Sequence, residues 1–97
     1  MAATNADVTG SASIIVAASA SGRRISLKIY NNSDITVYLG EGSTVTADNG
    51  FPLFQGEEIS FDYEGEKYQF LYRGAVWGIT NAGTADVRYW EFLEFRT

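Results

Sequence analysis

Three carboxylates fall within five residues in the stretch DYEGE, Asp62 to Glu66, around a single glycine. Hard oxygen ligands at alternate positions beside a glycine turn are the kind of set that holds calcium. The same residues also suit a solvated hairpin tip, with Lys67 next to them to offset charge. The match to a full calcium loop is poor, so no metal site is assigned. Asp62 and Glu64 would share one strand face and form the least poor pair for a glycosidase, but at a hairpin rim. Glu57 and Glu58 are adjacent, so in a strand they point to opposite faces and cannot flank one substrate bond. They fit better as charges at the start of a strand that discourage stray pairing.

Nucleophilic chemistry has no visible carrier. The 97 residues include no histidine and no cysteine. That removes the commonest general base, the commonest metal ligand and every Ser-His or Cys-His arrangement. No serine sits in a nucleophile elbow. GEGST, Gly40 to Thr44, is glycine-rich but lacks the lysine of a phosphate loop. We therefore expect no enzymatic activity, no cofactor and no catalytic residue.

Tyr30, Tyr38, Tyr68, Tyr72, Trp77 and Trp90 could build a platform on which sugar rings stack. Aromatic side chains are also what a small β core or a protein interface uses, and that reading is the stronger one. Net charge is −5, from 12 acidic and 7 basic residues. Phosphate contacts by Lys and Arg supply most of the affinity for nucleic acid, and Arg23-Arg24 alone is no patch, so nucleic acid is not an expected partner. The longest apolar run, Ile14 to Ala18, is far short of the roughly 20 residues a bilayer requires, so neither is a membrane. The residues before it contain Asp7 and no Lys or Arg, unlike a secretory leader.

The elements that must position these residues read as strands. RISLKIY sets Ile25, Leu27 and Ile29 on one face and Ser26, Lys28 and Tyr30 on the other. DITVYLG does the same with Ile35, Val37 and Leu39. The link Asn31-Asn32-Ser33-Asp34 between them predicts a hairpin. EEISFDY sets Ile59, Phe61 and Tyr63 on one face. EKYQFLYRG follows through the turn Glu64-Gly65-Glu66. AVWGIT and ADVRYWEF are expected to form the last pair, through Asn81-Ala82-Gly83-Thr84. Gly56 is expected to turn the chain into EISFDY, and Asn81 and Gly83 to take positive φ.

No window holds a 3.6-residue apolar period. The pattern predicts one all-β domain, an antiparallel β-sandwich or barrel, jelly-roll-like or β-tulip-like, with an extended N-terminal arm. Residues 1–22 are mostly Ala, Ser, Thr and Gly. We read Met1 to about Gly10 as a flexible arm and Ser13 to Ser19 as a possible first strand or a segment that orders on contact. Residues 23–97 form the β domain.

The order of phrases carries a resemblance. It runs RRISLKIYNNSDITVYLGEGSTVTADNGFPLFQGEEISFDY and then LYRGAVWGITNAGTADVRYWE. Arg24, Ser26, Leu27, Ile29 and Asn31 lead to Val37-Tyr38-Leu39-Gly40. Asn49, Gly50, Pro52, Leu53, Gly56 and Glu57 follow, and Gly83 to Arg88 with Glu91 close the pattern. This resembles the small β-rich structural modules of tailed bacteriophages, most closely capsid decoration (cement) proteins. It spans about Arg23 to Glu91 and consists of fold-making positions. The segment LYRGAVWG and the aromatic end depart from it.

The resemblance implies a virion structural protein that decorates and reinforces the outer capsid surface. It would be made in the host cytoplasm and sit as a homotrimer at three-fold or local three-fold positions. The implied partners are the major capsid protein and sister copies. A tail, fibre or vertex-associated virion protein is the alternative, binding host glycan through Tyr38, Trp77 or Tyr72.

The aromatic end, YWEFLEF from Tyr89 to Phe95, bears on that surface. Val87, Tyr89, Glu91, Leu93 and Phe95 share one strand face, and Arg88, Trp90, Phe92, Glu94 and Arg96 the other. A strand with one wet face alternates more cleanly than this. Two readings stay open: a strand buried on both sides within one chain, or a face that carries Trp90 and Phe92 to a sister subunit or the capsid. The arm is a second candidate contact, since small side chains lose little entropy on ordering. The expected interface residues are Ile14, Ile15, Val16, Trp77, Trp90, Phe92 and Phe95.

Overall fold

The computed structural model describes residues 4–18, 24–62 and 74–93, apart from the side chains of Ile25, Asp62 and Leu93. The strands are β1 (Thr4–Val8), β2 (Ser13–Val16), β3 (Arg24–Asn31), β4 (Val37–Gly40), β5 (Phe51–Leu53), β6 (Glu58–Asp62), β7 (Val76–Thr80) and β8 (Ala85–Leu93). They form two antiparallel four-stranded sheets. The first has the order β1-β8-β3-β6 and the second β2-β7-β4-β5. In four of the ladders the strand numbers of a pair sum to nine: β1 with β8, β2 with β7, β3 with β6 and β4 with β5. Ladders of β3 with β8 and β4 with β7 complete the sheets. A long ribbon of paired strands has been rolled up, which gives the eight-strand order of a jelly roll. The expected all-β sandwich is the fold.

The core between the sheets is aliphatic. Val8, Ile15, Val16, Leu27, Ile29, Val37, Leu39, Leu53, Val76, Ala85 and Val87 form it, drawn from both sheets. The alternation read from the sequence supplies it directly: Val37 and Leu39 point in from β4, and Val76 and Thr80 from β7. Among the described residues no aromatic side chain is fully buried. Phe61 and Tyr89 lie against the edge of the core.

Two expected hairpins do not form. β3 and β4 belong to different sheets, and so do β7 and β8. The NNSD link is a crossover, and Asn31 holds it. Asn31 is fully buried. Its side-chain amide donates to the carbonyls of Ile35 and Leu53, each at 2.8 Å. Its oxygen accepts from the Ser33 amide and hydroxyl. All four hydrogen-bonding positions of the side chain are used, and they carry the chain from β3 toward β4 and β5.

The N-terminal residues also differ from expectation. Thr4–Val8 is a paired strand rather than a loose arm, with Asn5 opposite Arg88 and Val8 opposite Ala85. Val8 is buried and anchors it. Gly56 and Gly83 take positive φ, 74° and 89°, as their turns require. Asn81 does not. The predicted strand EKYQFLYRG and its turn at Glu64 to Glu66 lie outside the described residues.

Candidate interaction surfaces

The expected interface residues separate into four groups. Ile15 and Val16 belong to the core of this chain, 5% and 1% exposed. Their expected part in an interface is therefore corrected: a shift in register between Ile14 and Val16 turns both inward. Ile14 and Trp77 lie on the outer face of the second sheet. Trp90 and Phe92 lie on the outer face of the first. Phe95 lies outside the described residues. No one flat contact can therefore take all of the exposed members.

The outer face of the second sheet is built by alternation. Trp77 and Ile79 project from β7 while Val76, Gly78 and Thr80 point inward. Ile14 pairs with Trp77, and Tyr38 pairs with both Ile79 and Pro52. The face therefore reads Ile14–Trp77–Gly40 in one row and Ile79–Tyr38–Pro52 in the next. Ile14 is 49% exposed. None of the sixteen residues in the four strands is charged. Phe54, just beyond β5, is also exposed.

The outer face of the first sheet combines rings with charges. Trp90 pairs across β3 with Lys28, and Tyr30 pairs with Arg88 on one side and Glu58 on the other. Trp90 and Tyr30 are 39% and 41% exposed. The Trp90 and Phe92 rings contact at 4.9 Å between centroids, tilted by 38°. Lys28 Nζ lies 3.8 Å from Glu58 and Arg88 3.1 Å from Asp86. A shallow depression of about 280 Å³ runs among Lys28, Tyr30, Asn32, Glu58, Arg88 and Trp90.

Asp86 closes one side of this face. Its carboxylate accepts from the side chains of Asn32 at 2.9 Å, Arg88 at 3.1 Å and Asn5. These donors, Asn32 first and Arg88 next, hold its pKa below the usual carboxylate range.

No protein-family model, curated protein or solved structure matches the chain.

Neither composition nor alternation singles out a second buried polar residue that holds the fold, Arg24. Arg24 is fully buried, turned inward where the register of β3 shifts. It donates to Glu91 on β8 at 2.8 Å, to the Ala17 carbonyl at 2.8 Å and to the Gly74 carbonyl at 3.1 Å. It thereby ties the first sheet to the chain just after β2 and just before β7. The only sequence signal was the recurrence of Arg24 and Glu91 in one pattern.

A cleft of about 680 Å³ opens at one end of the sandwich among Leu39, Glu41, Val45, Phe51, Ile59 and Phe61. Among the described residues its charged lining is a single carboxylate, Glu41, which is not an acid/base pair. Glu57 caps a turn by accepting from the Phe54 amide at 2.8 Å, while Glu58 lies on the outer face of the first sheet. Among the described residues no group of three or more candidate ligands could hold a metal ion. The acidic stretch Asp62 to Glu66 falls outside them, the Asp62 backbone excepted. No helix among them is long and apolar enough to cross a membrane.

Proposed function

We propose that the chain is a virion structural protein of the phage decoration type, seated on the outer capsid surface through the outer face of its second sheet. The observation that carries this is the absence of charge from all four strands of that sheet. A net charge of −5 makes most approaches between copies, or to an acidic shell, repulsive. On the uncharged face no ion has to be desolvated. Ile14, Tyr38, Trp77 and Ile79 supply the aromatic and aliphatic contact that the centre of a protein interface uses. The sequence resemblance supplies the virion context. The jelly-roll order is one that capsid proteins use, as do unrelated proteins. Three copies around a three-fold axis would each present the same patch to the shell, while contacts between copies in such a ring join two different patches.

Electron microscopy of virions carrying this chain tests the reading. Many copies clustered at three-fold positions, with Trp77 turned toward the shell or a sister copy, are the expected result. A few copies confined to the tail or vertex would overturn it and favour the tail or fibre role.

A further inference from the structure

We infer that the outer face of the first sheet is a binding platform for a neutral saccharide, with Trp90 as the stacking ring and Tyr30 as the flanking wall. Of the four candidate aromatics among the described residues, the fold brings these two to one face. Tyr38 and Trp77 fall on the opposite outer face, and Tyr68 and Tyr72 lie outside the described residues. Tyr30 and Trp90 are diagonal neighbours across the β3–β8 ladder, a spacing of about 7–8 Å between such positions. Phe92 backs the Trp90 indole on the same strand face.

The groups between and beside the rings decide the ligand class. Lys28, Glu58 and Arg88 have side chains 41%, 47% and 52% exposed. A protein partner covering this face would have to desolvate them, and interface centres are depleted in Lys and Glu. A sugar replaces the water it displaces, because each hydroxyl both donates and accepts and so suits an ammonium, a guanidinium or a carboxylate. The apolar C–H face of a pyranose covers the indole. Two positive groups, Lys28 and Arg88, stand among three carboxylates, Glu58, Asp86 and Asp7, which pairs with Asp86, so the face disfavours an anionic ligand. A depression of about 280 Å³ falls just below the range of ligand pockets, about 300 Å³ upward, which suits a single sugar ring lying on the surface. The inference does not rest on the capsid reading, which uses the opposite face.

The test is a two-dimensional NMR titration of the isotope-labelled full chain with methyl glucoside, methyl galactoside and methyl mannoside. The expected result is a saturable shift of the Trp90 indole N–H and the Lys28, Tyr30 and Arg88 amides with at least one glycoside, while the Trp77 indole stays put. Trp90→Ala should weaken that binding about tenfold, the upper end of what one ring contact supplies. Lys28→Met, which keeps the rings, should weaken it less. No shift at Trp90 with any of the three would overturn the proposal. So would binding unchanged by Trp90→Ala, or equal shifts at Trp77. Broadening at Trp90 that follows protein concentration and ignores sugar would assign the face to a second copy instead.

Discussion

The two sheets share one core and one strand count, yet they treat charge in opposite ways. The second sheet has no charged residue in its strands, whereas the strands of the first contain eight. Two of those eight, Arg24 and Glu91, form an ion pair on the inner side, and others alternate with rings on the outer side. A sheet without charge can be covered by a partner at little desolvation cost. A sheet with interleaved charge and aromatic rings stays wet and suits a ligand that brings its own hydroxyls. The difference shows how one small sandwich can offer two chemically distinct contacts back to back.

The largest expected effect comes from the charge inside the first sheet. Arg24→Met removes the ion pair with Glu91 and leaves the Ala17 and Gly74 carbonyls without their donor. The loss should be about 3–5 kcal/mol, a large share of the roughly 5–15 kcal/mol typical of a domain. Denaturant unfolding measures it. The double variant Arg24→Met/Glu91→Leu should recover part of the loss, since no lone carboxylate is left on the inner side. A single variant as stable as the parent would show that the buried charge is dispensable and that the contrast between the sheets is confined to their surfaces.

Asn31→Leu comes next. It keeps the volume but takes the side-chain partner from the Leu53 carbonyl and the Ser33 amide, while the Ile35 carbonyl keeps the Ser33 hydroxyl. Each unsatisfied buried group costs about 1–3 kcal/mol, and relaxation toward water should hold the total to about 2–4 kcal/mol. Because Asn31 holds the crossover between sheets, the loss should slow folding as well as reduce stability. Stopped-flow refolding would detect this, and an unchanged refolding rate would place the crossover late in folding.

Asn31 also marks where the sequence stopped being legible. Alternation located β3, β4, β6, β7 and β8 to within a few residues, because a period of two reports which side chains face inward. It does not report which strand lies alongside. NNSD and NAGT therefore looked like hairpin turns when each carries the chain to the other sheet. β1 was missed because TNADV has one strong apolar anchor, Val8, and β5 because FPL is three residues long. Trp77 and Trp90 were both legible as candidate contact residues. That they face opposite ways depends on sheet membership, and so does the uncharged character of the second sheet.

The contrast between outer faces predicts unequal effects of equal substitutions. Ile14→Lys puts a charge on the uncharged face at a half-exposed site, so stability should change by no more than about 0.5 kcal/mol. Capsid binding should nonetheless fall at least tenfold in co-sedimentation with shells. Lys28→Gln on the other face should leave that binding unchanged. Equal losses from both would erase the distinction between the faces.

The smallest effect lies at Asp86, and its sign follows from its neighbours. Hydrogen bonds from Asn32, Arg88 and Asn5 favour the ionised form in the folded chain, so the folded pKa lies below the ordinary 3.8. The unfolded chain thus binds the proton more readily. The contribution of this group is present in full above the ordinary value and is lost as pH falls through the folded pKa. Asp86→Asn should therefore lower the melting temperature slightly at neutral pH and flatten its fall in acid. Asn5 is in β1 and Asn32 follows β3, so acid should loosen the β1 edge of the first sheet. The strands of the second sheet contain no carboxylate, so the same acid has no group to protonate within them. Melting temperature followed from neutral pH into acid, with backbone chemical shifts of β1 and β2 compared along the way, reads both effects. An acid limb identical in the parent and Asp86→Asn, or shifts in β2 matching those in β1, would show that acid acts elsewhere in the fold and that the charge contrast between the sheets does not govern its response to pH.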